Sequence, residues 1–172
     1  MKIFLKFGLI QAAIYITWSL VIYITGLDTT YIHIGYISDY LVLLIPIIVT
    51  YKGLKADALS LPQSYTLLNG LKTGLLLNLV CYSIYMPFLI VYHTFINPEW
   101  LDYVLKLTET KLLERNVAPE AIKVSLETIS KQSTISNHII SGLIFGVILI
   151  GGLISVISTL IIRRKLKQKQ IS

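Results

Sequence analysis

Charged residues are scarce in this sequence. Asp, Glu, Lys and Arg make up 14% of its 172 residues against 55% hydrophobic, and the mean hydropathy is +0.73. Soluble domains carry roughly 25% charged residues, so an ordinary soluble domain is excluded and a membrane protein is expected. Cysteine is scarcer still. Cys81 stands alone, which excludes a disulfide framework within one chain and leaves inert packing as its default role. Motifs that carry chemistry are missing as well: there is no CxxC pair, nucleophile elbow, P-loop or dinucleotide fingerprint. The expectation is a protein that is not an enzyme and uses no cofactor.

What the sequence does have is long apolar runs. Residues 7–27, 34–51, 71–96 and 139–162 each approach the roughly 20 residues needed to cross about 30 Å of hydrocarbon. None alternates at period two, which argues against a β-barrel, and lipid offers no partner for open backbone groups, so each run is predicted to be helical. The expected fold is an all-α integral membrane protein, one membrane domain over residues 1–172 with four transmembrane helices in a four-helix bundle. Lys2 and Lys6 before the first run also suit a secretory signal. The run is long, however, and "YITGLD" (Tyr23 to Asp28) offers no small-x-small cleavage site, so an uncleaved span is expected.

Basic residues set the orientation. With the N-terminus cytoplasmic, Lys2, Lys6, Lys52, Lys55, Lys72 and the tail from Arg163 to Lys169 fall inside, and only Lys106, Lys111, Arg115, Lys123 and Lys131 fall outside, all in one long loop. This predicts a multi-pass membrane protein with both termini cytoplasmic. The pI near 9.4 then reflects charge placed at anionic headgroups, and no nucleic-acid partner is implied.

The loop after the third run is predicted to fold. In "FINPEW", Asn97 is expected to cap a helix with Pro98 in its first turn and Glu99 at the positive end of the dipole. Trp100 is an amphipathic ring expected at headgroup depth, and Leu101, Val104, Leu105 and Leu112 then recur at helical spacing, with Asp102, Lys106, Glu109 and Lys111 mostly opposite. A second helix from about Pro119 to Lys131 puts Ala121, Ile122, Leu126 and Ile129 on one face. Residues 97–137 are therefore expected to form an amphipathic, extracytoplasmic helical hairpin between spans 3 and 4. Its apolar faces can cap its own bundle, dock a protein partner or close over a ligand. As a partner surface, Trp100, Leu101, Leu105, Ile122 and Leu126 are the candidates, and the lipid bilayer covers the rest.

Other polar residues have two readings each. Ser60 with Pro62 and Gln63 forms a capping box that would start a helix about ten residues ahead of the third run. Asp39, with Ser38, is expected to cap the second helix; the alternative is an ion-coupling acid assisted by Asn78. His33, His93 and His138 all fall near the outer surface, but no metal-ligand spacing joins them, and no metal is expected. In the last run, Gly142 and Gly146 make a GxxxG that Gly151 and Ser155 extend as a small-residue stripe for close helix packing.

The order of these features resembles a family. "YKGLKAD" (Tyr51 to Asp57), "NGLKTGLLL" (Asn69 to Leu77), "FINPEW" (Phe95 to Trp100) and "SGLIFGVILIGGLISVISTLIIRRK" (Ser141 to Lys165) are similar to the pattern of domain-of-unknown-function family 4199, small four-span proteins of the bacterial inner membrane. The resemblance implies the four-span fold and no activity. Two functions are carried forward: a non-catalytic interaction subunit or self-associating scaffold, and a small transporter or channel component acting as an oligomer.

Overall fold

The computed structural model describes residues 2–61, 65–134, 137 and 140–171, apart from the side chains of residues 36, 39 and 169–171. His138, Pro62 and Gln63 lie outside the described residues, as does the side chain of Asp39. Every regular element described is helical. The first, α1 (Ile3–Ile24), ends because Gly26 adopts φ +72°, which lets the Gly26 and Leu27 amides donate to the Tyr23 and Ile22 carbonyls. This stop falls just short of the end expected at Leu27.

The second apolar run departs from its expected form. It gives two helices, α2 (Ile32–Val42) and α3 (Leu44–Ser60), that meet at Leu43. Pro46 has no amide to donate to Val42, and its ring crowds that carbonyl, which accounts for the break at Leu43. Ser38 and Asp39 consequently lie inside α2 and do not cap its start, and the Ser38 hydroxyl donates back to the Gly35 carbonyl. Ser60 likewise ends α3 and does not open the next helix. The cap of α4 (Leu67–Val91) is Thr66, whose hydroxyl accepts from the Asn69 amide at 3.1 Å.

Past α4 the chain widens into a π-helical turn, Tyr92–Ile96, before α5 (Trp100–Glu114) and α6 (Pro119–Gln132). Asn116 between them takes φ +55°, and the Asn116 and Val117 amides close back onto Leu113 and Leu112. Leu101, Val104, Leu105 and Leu112 are half-buried while Asp102, Lys106, Glu109 and Lys111 are exposed, as their spacing predicts. The last helix begins π-helical over Gly142–Gly151 and continues as α7 (Gly152–Ile171).

Three helical stretches, Ile3–Ile24, Leu67–Ile96 and Gly142–Gln168, are long and apolar enough to cross a membrane. With α3 they pack on one another, α4 touching the other three. Polar side chains lie among those buried, and large apolar ones face outward. Gln11, Thr50, Asn78, Ser155 and Thr159 are 0% exposed, whereas Ile14, Ile48, Leu79, Phe145, Leu153 and Leu160 face outward. Water would penalise that surface, and hydrocarbon would not.

Candidate functional site

Two polar clusters interrupt the apolar packing. The first joins three helices at mid-height. Gln11 on α1 donates from Nε2 to Asn78 Oδ1 at 3.0 Å, and Asn78 Nδ2 donates to the Gly74 carbonyl at 2.9 Å and towards Thr50 Oγ1 on α3 at 3.4 Å. Cys81 is buried one turn further along. Close backbone approach makes room for this network. A Cβ on Gly74 would land on the Ser155 hydroxyl, and one on Gly70 would land on Thr159. Gly142 abuts Met86, Gly146 abuts the Tyr82 ring, and Gly151 abuts the Asn78 amide. The expected glycine stripe therefore faces α4 of its own chain, and α4 contributes glycines of its own that the sequence reading passed over.

From there an aromatic row climbs α4. Tyr15 stacks on Tyr85 with ring centres 5.0 Å apart, the Tyr85 and Ser19 hydroxyls lie 3.0 Å apart, and Phe88 and Tyr92 continue the row. At the opposite end of α4, Thr73 donates to Asp57 at 2.7 Å beside Lys2 and Lys72. Burial, with the nearby Asp57 carboxylate, pushes the phenol of Tyr65 up to about 12.

The second cluster lies where α1, α4 and α5 end or begin. Asp28, in the turn after α1, accepts on Oδ2 from the Tyr92 hydroxyl and from Asn97 Nδ2, the latter at 3.0 Å. Asn97 was expected to cap α5; instead it is buried at 3% exposure with its amide on Asp28, and α5 starts at Trp100 without a side-chain cap. The Nδ2 bond to the Asp28 carboxylate fixes the orientation of the Asn97 amide, and its oxygen makes no capping bond to the start of α5. Trp100 packs on His93 with ring centres 4.7 Å apart and lines a cavity of about 200 Å³ together with Leu101, Met86 and Ile90.

The predicted residues scatter over these places. Asn78 is the hub of the first cluster. His93 belongs to the second, while His33 is exposed on α2. Ile122 is buried, and Leu105 and Leu126 are half-buried. No group of three or more His, Cys, Asp or Glu side chains is placed to hold a metal among the described residues. Sequence reasoning missed Gln11 and Thr50. An amide inside an apolar run, as at Gln11, was the available signal, because such a group must find a buried partner.

A model of the family described as Protein of unknown function (DUF4199) matches residues 6–164. The chain belongs to this family. No curated protein and no solved structure matches it. What the DUF4199 chain can do therefore has to be read from its own two clusters. The first is made of amides, hydroxyls and a thiol, and it ties helices together. The second holds a carboxylate beside cavities.

Proposed function

We propose that this DUF4199 chain is a non-catalytic integral protein of the bacterial inner membrane, an interaction subunit or self-associating scaffold. Four helices cross the bilayer, both termini are cytoplasmic, and α5 with α6 forms an extracytoplasmic hairpin. The apolar exterior supports membrane insertion. The fourth crossing is α3, whose 17 residues span roughly 25 Å at about 1.5 Å each, with the last turn of α2 adding to it. Contacts at the two ends support an alternating bundle. The start of α1, the end of α3 and the start of α4 meet around Asp57, whereas the end of α1 and the end of α4 meet around Asp28.

The observation that carries the interaction reading is the surroundings of α6. It packs on α5, only Ile122 is buried along its length, and Val124 on α6 and Leu113 on α5 stay exposed at 63% and 58%. α5 is its main neighbour, and an amphipathic helix so placed gains most of its stability from packing against other groups. A photo-crosslinker at Val124, activated in native membranes before purification through a C-terminal tag, is expected to capture a stoichiometric protein partner or a second copy. Crosslinks to lipid alone would contradict the reading.

A second reading, a transporter or channel component acting as an oligomer, draws on the buried row Gln11, Asn78 and Thr50. It requires Asp39→Asn and Asn78→Ala to abolish a flux phenotype that charge reversals on α5 and α6 leave intact.

A further inference from the structure

The Asp28 cluster leaves two buried polar atoms unused. Asp28 Oδ2 takes both of the hydrogen bonds described above, while Oδ1 is buried and has no partner among the described residues; the same holds for the indole N–H of Trp18. Both residues line one cavity of about 210 Å³, which Tyr85, Tyr92 and Trp100 also line. His93 borders it as well, whereas no Lys or Arg side chain does. A carboxylate oxygen and an indole N–H buried at one cavity without partners favour a ligand that supplies both a donor and an acceptor, and at a carboxylate the strongest donor is a cation.

The lining selects the kind of cation. Divalent metals need several oxygen ligands, and here one carboxylate oxygen is free while the Ser19 and Tyr85 hydroxyls already serve each other. Aromatic rings around a carboxylate instead suit an organic ammonium, which gains from ring faces as well as from the charge. The Trp18 N–H adds a second requirement, since it needs an acceptor that an ammonium lacks.

We propose that the cavity beneath Asp28 binds an organic ammonium that also carries an oxygen acceptor, with the ammonium on Asp28 Oδ1 and the oxygen on the Trp18 N–H. The ethanolamine group has this chemistry, whether as a free amino alcohol or as a phospholipid headgroup. The cavity lies where α1 and α4 end, at the depth of headgroups in the proposed topology. This inference goes beyond the interaction reading and needs no protein partner.

The test uses the chain's own fluorescence, because Trp18 and Trp100 are its only two tryptophans and both line the cavity. The full chain, delipidated in detergent and placed in nanodiscs of phosphatidylglycerol alone, is titrated with ethanolamine. The expected result is a saturable change in tryptophan emission that sodium chloride at equal ionic strength does not produce, with binding weakened about tenfold or more by Asp28→Asn. Trp18→Phe keeps an aromatic ring, leaves the Asp28 hydrogen bonds in place, and should weaken ethanolamine while sparing tetramethylammonium, which has no acceptor. In phosphatidylethanolamine nanodiscs, emission already in its bound form and insensitive to ethanolamine assigns the site to the headgroup, and an undiminished titration assigns it to a free amine. Absence of a saturable change in phosphatidylglycerol, or one that both variants retain unchanged, overturns the proposal.

Discussion

Gly74→Leu is expected to destabilise the fold by about 3 kcal/mol, the upper part of the usual range for overpacking a tight contact. Even a Cβ at this position overlaps the Ser155 side chain, whose hydroxyl donates back to the Gly151 carbonyl in the last helix. Ser155 is too short to swing clear, so α4 and the last helix must separate, and the Thr159 contact over Gly70 is lost with them. Helices in hydrocarbon associate through such close approach, because lipid is as apolar as leucine and supplies no force that drives them together. Gly74→Ala is expected to cost about 1 to 2 kcal/mol, and combining it with Ser155→Gly should restore most of the loss. Reversible unfolding in mixed micelles measures all three. Native stability for Gly74→Leu would mean that the two helices do not meet at this point.

Asn78→Leu is the second large effect, about 2 kcal/mol. The side chain is 0% exposed and is the one residue that touches Gln11, Thr50 and the Gly74 carbonyl together. Removing it strands the Gln11 amide against hydrocarbon, and an unmade buried hydrogen bond costs more than a made one contributes. The double variant Gln11→Leu with Asn78→Leu should therefore be more stable than Asn78→Leu alone, since no amide is then left without a partner. Additive losses in the same unfolding experiment would show that the two side chains act separately.

Much of the helical framework was legible in the sequence, because a run of apolar residues long enough for hydrocarbon leaves the backbone few alternatives. Phe7 to Leu27 and Leu71 to Ile96 lie within a few residues of the helices observed, and Pro119 opens α6 as its fixed φ favours. The second run was read as one helix because composition carries no mark of the break at Leu43; the mark is Pro46, three residues later, acting on a carbonyl behind it. Polar residues were harder. Asn97 and Ser60 fit local capping patterns, but a side chain is claimed by whichever partner lies nearest in space. For Asn97 that partner is Asp28, 69 residues away in sequence. Asn78 was singled out as a polar residue in a span, yet its pairing with Gln11 and Thr50 could not be read, since periodicity tells which face a residue occupies and not which helix that face meets. The glycines divide the same way. Those of the last helix stood out as a stripe, while Gly70 and Gly74 matter because of what α7 places over them.

The central claim is that the chain crosses the inner membrane an even number of times and presents α5 and α6 outside the cytoplasm. In a Cys81→Ala background, which removes the sole native thiol, Glu109→Cys on α5 and Lys167→Cys near the end of α7 are each exposed to an impermeant maleimide on intact spheroplasts. Labelling of position 109 without labelling of position 167, until the membrane is permeabilised, is the expected result. Labelling of position 167 with protection of position 109 would contradict the topology, and with it the hairpin as a surface for extracytoplasmic partners.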